Sequence, residues 1–346
     1  MMSNLRHLTR NIGIPRLIIF AFIAGLLILA AVTGLQVKDL LSDSLVRIGM
    51  NGILVLSLVP AIQGGLGMNF GLPLGVICGL LGSVTAVELN LRGWAGFSAA
   101  IGFSIPIAIV AGLVYARLLE QVKGQEMMVG TYIGFSSVAG MCIAWLLLPF
   151  KSPSMIWAVG GEGLRTTISL GDHYGKLLNE FLKFPLGGIT IPTGLLLFFL
   201  FCCALWYMFS RTRTGMALRT AGSNELYAVS SGIDVRHMRS LSVVLSTVLA
   251  AIGIVVYSQS YGFIQLYMGP LLMAFPAIAA ILLGGASVQK ASVSNVILGT
   301  ILFQTMLTIA LPVTSSVIEG DISEVARVII SNGLILYALT RPTGGN

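Results

Sequence analysis

An all-α integral membrane protein is the fold class predicted by this sequence, on three observations. Charged residues are only 10% of the 346 residues, against about 25% in an ordinary soluble domain. Hydrophobic residues reach 56%, with a mean hydropathy of +0.93. The apolar residues are gathered into blocks of about 20, the length of helix that crosses a bilayer. Too few charges remain to cover a water-facing surface. Two soluble domains are therefore excluded, and residues 1–346 read as a single transmembrane domain surrounded by membrane lipid.

About ten spans are expected. The first, 17–37, follows Arg6, Arg10 and Arg16 and lacks a convincing small-residue cleavage site, so it reads as a retained helix rather than a signal peptide. The second, 47–62, is short and runs into Gln63-Gly-Gly-Leu-Gly-Met-Asn69-Phe70-Gly-Leu-Pro73. The third, fourth and fifth are 70–89, 95–116 and 127–149. A long connection, 150–190, leads to the sixth, 191–209, and a second, 210–240, to the seventh, 241–258. The seventh runs into Gln259-Ser-Tyr261-Gly-Phe-Ile-Gln265-Leu-Tyr267-Met-Gly-Pro270. Spans 274–289, 292–311 and 324–340 complete the chain. An even number of spans places both termini on one side. With that side cytoplasmic, the inner segments hold twelve of the basic residues and four of the acidic ones, the outer segments eight and nine. That asymmetry satisfies the positive-inside rule. In the outer connection, Tyr174, Leu177, Leu178, Phe181 and Leu182 have the spacing of a short amphipathic helix, suited either to the membrane surface or to an external partner.

The two Gly/Pro interruptions occupy corresponding places in two four-span sets, 2–5 and 7–10, which run in opposite directions. Paired interruptions in inverted repeats point to a translocation path. Amides lie in or beside the spans: Asn51, Gln63, Asn69, Gln259, Gln265, Asn295 and Gln304. An amide can bind an uncharged polar solute without the penalty of burying a charge, although its ordinary role is an interhelical hydrogen bond. Asn69, Phe70, Tyr261, Gln265 and Tyr267, at the interruptions, are expected to line the path.

The four cysteines, Cys78, Cys142, Cys202 and Cys203, fall inside apolar blocks and read as small buried side chains. The three histidines are scattered outside the spans, so neither a metal site nor a cofactor is expected. No basic run of five exists, which disfavours a nucleic-acid partner. No Gly-x-x-x-x-Gly-Lys-[Ser/Thr] occurs, so the chain is not expected to hydrolyse ATP itself. A carrier driven by an ion gradient commonly needs an ionisable group inside the membrane. The nearest, Glu88 and Glu126, sit at span ends, which leaves an ion-coupled secondary transporter as the alternative reading.

The connection 210–240 carries a helix of two turns. Ser223 or Asn224 can cap it, Glu225 suits its positive end, and Gly232 can close it. On physical grounds an ordinary connector and a helix that receives force from a soluble partner stand equal. The stretch Thr212-Arg213-Thr214-Gly215, Leu218-Arg219, Gly222, Asn224, Ala228 and Gly232-Ile233 resembles the cytoplasmic signature of ABC importer permeases, in particular the branched-chain amino acid, ribose and nucleoside (simple sugar) permease family. Leu282-Leu-Gly-Gly-Ala-Ser287 is similar to a second, weaker motif of that family. The resemblance implies a permease subunit in a bacterial plasma (inner) membrane, pairing with a second permease subunit in a homo- or heterodimer. It implies ATPase subunits that drive alternating access and an extracytoplasmic binding protein that delivers a neutral polar solute. Arg213, Gly215, Arg219, Gly222, Asn224, Glu225, Ala228 and Gly232 would form the coupling segment. The sequence departs from the sugar permeases at Gly64–Gly71, which lacks their acid, and at Val288-Gln-Lys-Ala291. Gly124–Thr131 and the long outer connection look more similar to the nucleoside and simple-sugar branch.

Overall fold

The computed structural model of the protein describes residues 14–157 and 163–317, together with 329, 332 and 333. These residues form a bundle of apolar helices with four strands of three residues each. The first helix, α1 (Ile14–Val32), stops at a turn where Gly34 takes φ +77°. The second, α2 (Val37–Leu56), starts at Val37 rather than at residue 47. Its first turns carry Lys38, Asp39, Asp43 and Arg47, all exposed. Hydropathy alone therefore reads them as loop, whereas they are helix. At Ser57 the helix shifts into α3 (Leu58–Gln63). Pro60 has no N–H to offer the carbonyl of Leu56, and the ladder is interrupted there.

Then follow α4 (Leu72–Glu88), α5 (Gly93–Glu120) and α6 (Glu126–Leu147). After the outer connection come α8 (Thr193–Ser210), α9 (Arg213–Ser223), α10 (Glu225–Ser230), α11 (Val235–Tyr261), α12 (Gly269–Leu283) and α13 (Val293–Val317). Among the described residues, six stretches are long and apolar enough to cross a membrane: Val37–Gln63, Gly93–Glu120, Glu126–Leu147, Thr193–Ser210, Val235–Tyr261 and Val293–Ser316. Ile18–Val32, Leu72–Glu88 and Gly269–Leu283 are shorter apolar helices. The protein is thus a multi-pass, essentially all-helical membrane protein. The expected span 324–340 lies outside the described residues, apart from three positions.

Glycines set how closely the helices approach, as is usual where no hydrophobic effect drives helices together in lipid. At Gly253 a side chain would meet the backbone N of Leu54 at 3.0 Å, and at Gly82 the backbone N of Ser104 at 2.7 Å. These contacts seat α11 against α2 and α4 against α5. Burial divides the spans sharply: 78% of the α2–α3 window is buried, against 17% for α6. The α2–α3 span therefore forms the centre of the bundle, and α6 stands at its edge. Leu54 meets Gly253 and Gly64 meets Ser242, so α11 runs antiparallel to α2–α3.

The outer connection is mostly irregular, and its expected amphipathic helix shrinks to a single turn, α7 (Leu177–Glu180). Lys176 and Leu182 take φ +56° and +54°, which no helix tolerates. Tyr174 and Leu178 are buried while Phe181 and Leu182 are exposed. What organises the segment is α11. Lys176 donates its N–H to the Gln259 carbonyl at 2.6 Å, and Leu178 donates to Gln259 Oε1 at 3.1 Å. Strand β1 (Thr167–Ser169) also pairs antiparallel with β4 (Phe263–Gln265), Ile168 opposite Ile264. A hairpin of β2 (Phe184–Leu186) and β3 (Ile189–Ile191) leads back into α8.

Candidate coupling and pathway site

The three consecutive helices α9, α10 and α11 each begin with their own cap. Thr212 Oγ1 accepts from the Gly215 N–H at 3.2 Å, Asn224 Oδ1 from Tyr227 at 3.0 Å, and Asp234 Oδ1 from His237 at 3.0 Å. The end of α10 is closed by Gly232 at φ +75°, with Ile233 N–H donating to Ala228 O and Gly232 N–H to Val229 O. That is the left-handed glycine stop expected of the sequence. Ala221, Ala228 and Val235 pack together, with Ile233 and Met238 around them. The segment is therefore a folded unit in which Gly215 and Ala228 face inward and Arg213 and Arg219 outward.

Apolar side chains also point outward: Leu226 is 85% exposed, and Met216, Tyr227 and Val229 are exposed. These four residues are absent from the sequence-based expectation. Leucine and tyrosine in so short a helix carry no facing information until the burial of Ala228 shows which side is in.

The unit is fastened to the bundle. A side chain at Gly222 would meet the Gly65 N at 2.6 Å and the Gly64 C at 2.7 Å, so backbone lies on backbone there. Gly65 itself takes φ +81°. Lys123, in the turn between α5 and α6, pairs with Glu225 at 2.9 Å. The Lys123 ammonium holds the Glu225 carboxyl below the usual carboxylate range by hydrogen bond and charge. The pair is intact at neutral pH and is lost as pH falls through that lowered value. With both groups about half exposed it adds little stability. A cleft of about 760 Å³ opens beside this contact, lined by Gly65, Gly67, Glu126, Met127, Ser223 and Lys290 among others.

The five expected pathway residues fall into two groups. Asn69 and Phe70 lie in the link between α3 and α4, at the end of the bundle where α11 begins. Asn69 is buried and engaged at both ends of its amide. Its Nδ2 donates to Ser246 Oγ at 2.9 Å, and its Oδ1 accepts from the Tyr115 hydroxyl and the Gly71 N–H, both at 3.0 Å. Replacing Asn69 with alanine strands buried donors and is expected to cost about 1–3 kcal/mol, read as a lowered unfolding midpoint of the detergent-solubilised protein. Phe70 packs on Phe275 of α12 at 6.1 Å, and Thr131 and Phe135 of α6 line the same crevice.

Tyr261, Gln265 and Tyr267 lie at the other end, around β4. Tyr261 is exposed and stacks on Tyr257 at 5.6 Å and on Phe263 at 4.3 Å. The Tyr267 hydroxyl donates to the Leu164 carbonyl at 2.9 Å. Gln265 is half-buried, and its amide makes no hydrogen bond among the described residues. Four other amides serve the structure. Asn51 donates to the Arg47 carbonyl, Gln63 to that of Ala291 and Asn295 to that of Gly284, while Gln259 holds α7.

Residues 40–339 match the family described as branched-chain amino acid transport system, permease component, and the chain belongs to it. It is the membrane-spanning permease of an ATP-binding-cassette importer. It is 27% identical over 256 residues to the autoinducer 2 import system permease protein LsrD of Photorhabdus luminescens, covering 72% of this chain and 68% of that one. It is 27% identical over 263 residues to LsrC of Escherichia coli strain K12 / DH10B, covering 74% and 67%. It is 26% identical over 211 residues to the galactofuranose transporter permease protein YtfT of Escherichia coli strain K12, covering 60% and 57%.

Proposed function

We propose that the chain moves a neutral polar solute, a simple sugar or a nucleoside, inward across a bacterial plasma membrane by alternating access. Separate ATPase subunits drive it through α10, and a second permease subunit completes the pore. An extracytoplasmic binding protein supplies the solute to the face carrying β1, β4 and α7. The observation that carries this reading is the exposed apolar face of α10, with Leu226 85% exposed on a capped helix outside the spans. Such a face is what a soluble partner covers. The coupling segment then comprises Arg213, Gly215, Arg219, Gly222, Asn224, Glu225, Ala228 and Gly232, joined by Met216, Leu226, Tyr227 and Val229. The names of the autoinducer 2 and galactofuranose relatives, together with the free amide of Gln265, support a polar, uncharged solute.

The order of helix lengths supports two inverted repeats, within a reading of ten spans with both termini cytoplasmic. Val37–Gln63 and Val235–Tyr261 have 27 residues each. Each leads through a non-helical link to a short helix with a proline in its first turn, α4 of 17 residues and α12 of 15. A long helix with an internal proline follows each, Pro106 in α5 and Pro312 in α13. Glu88 and Glu126, the carboxylates expected at span ends, are engaged structurally. Glu88 accepts from the Lys151 and Ser152 N–H groups, and Glu126 pairs with Arg239.

The test is affinity purification of the tagged chain from mild detergent, followed by reconstitution in liposomes. Co-purification of a P-loop ATPase and solute uptake that requires ATP are expected. Uptake by the chain alone under an ion gradient would overturn the reading.

A further inference from the structure

Two ion pairs besides Lys123–Glu225 tie the turn between α5 and α6 to the start of α11. Arg236 approaches Glu120 at 3.6 Å, but its side chain is 81% exposed. The other pair is different in kind. Arg239 Nη2 donates to Glu126 Oε1 at 3.2 Å, with the two side chains only 16% and 12% exposed. The same nitrogen lies 3.4 Å from the Gly65 carbonyl oxygen. One guanidinium therefore joins three segments. It sits on the second turn of α11, directly after the capped unit of α9 and α10. It holds the first residue of α6, and it holds the link that Gly222 touches. A part-buried, charge-assisted contact of this kind is stronger than an exposed surface pair.

What lies beyond Glu126 makes the contact consequential. The span it begins, α6, is the one standing at the bundle's edge, and it rests on the α3–α4 link through glycines. A side chain at Gly134 would meet the Phe70 carbonyl at 2.9 Å, and one at Gly130 the Tyr115 hydroxyl at 2.7 Å. Thr131 and Phe135 then face Phe70 and Phe275. A continuous path thus runs from α10 through the packing of Ala228 on Val235, along the first turns of α11 to Arg239 and Glu126, and from there to the crevice at Phe70.

We propose that Arg239 and Glu126 are positioning residues that transmit the displacement of the coupling unit to α6, so that ATP hydrolysis moves the wall of the Phe70–Phe275 crevice. The assignment rests on the reading of α10 as the coupling helix. Neither residue touches ATP or solute, so their loss uncouples hydrolysis from uptake without dissociating the complex.

The experiment compares uptake per ATP hydrolysed in proteoliposomes containing the complete complex. Glu126→Gln keeps the shape and removes the charge. Retained ATPase association and a ratio lowered roughly tenfold, within the span of ordinary inter-site coupling, are expected. The charge-swapped double variant Glu126→Arg, Arg239→Glu should recover part of the ratio. An unchanged ratio, or losses of assembly and uptake in equal proportion with no recovery in the swap, would overturn the proposal. Should Glu126→Gln fail to accumulate, Arg239→Lys gives the same readout. It keeps the charge but cannot serve both the carboxylate and the Gly65 carbonyl. A lowered ratio supports the linkage, and an unchanged one overturns it. Asn224→Pro is the control for the underlying reading: if that variant assembles and transports normally, α10 is not the coupling helix. If it fails as expected while the Glu126 and Arg239 variants keep their ratio, only the linkage is wrong.

Discussion

Asn224→Pro should abolish binding of the ATPase subunits, while Glu225→Pro, one residue on, should leave it close to normal. Asn224 ends α9 and caps α10 at φ −152°, far from the −65° that proline demands. Its N–H donates to the Thr220 carbonyl at 3.0 Å, and its side chain caps Tyr227. Proline removes both bonds and also disfavours the helical conformation of Ser223 before it. A cost of about 3 kcal/mol for the ring and about 1 for the cap is the expected scale, more than an isolated two-turn helix can absorb. Glu225, by contrast, is the first residue of α10, where proline is tolerated. The extended backbone of Asn224 is already what a following proline requires. From sequence alone, either position looks sensitive. Co-purification of the ATPase with each variant, at matched membrane levels, decides the matter. Equal loss in both would show that the sequence of α10 matters rather than its fold.

Gly222→Val should lower ATP-driven uptake at least tenfold while the chain still inserts in the membrane. The added side chain has nowhere to go, since what it meets is the backbone of Gln63, Gly64 and Gly65 rather than a side chain that could turn aside. Overpacking of this kind costs about 1–3 kcal/mol, and here it would wedge the α9–α10 unit away from the α3–α4 link. Uptake in vesicles, normalised to the permease present, measures it. Normal uptake would show that the backbone contact is dispensable for coupling.

The parts of this molecule legible in the sequence are the ones governed by local rules. The cap at Asn224 and the glycine stop at Gly232 depend on residues three or four positions away, and the structure builds them as a sequence reading expects. The Gly/Pro links at 64–71 and 262–268 are legible for the same reason. The start of α2 was not, because the exposed Asp39, Asp43 and Arg47 dilute its hydropathy. Nor was the collapse of the outer amphipathic pattern to a single turn, which follows from Lys176 and Leu178 bonding to Gln259, 81 residues further on for the second of these bonds. The same distance problem hides Arg239 and Glu126, 113 residues apart. Asn69 shows the limit most plainly: an amide in a Gly-rich break suits a solute site, yet Ser246 and Tyr115 from other segments, with Gly71 of its own link, already engage it.

The way Gln259 grips the outer segment bears on how such transporters exchange their external specificity. α11 runs 27 residues, about 40 Å, and its last turn supplies both hydrogen-bonding ends of Gln259 and the hydroxyl of Ser260 to residues 176–179. The outer segment is therefore not a detachable module. Grafting it from a relative without that last turn would orphan a fully buried amide, so the heritable unit of exchange is the loop together with the helix end beneath it.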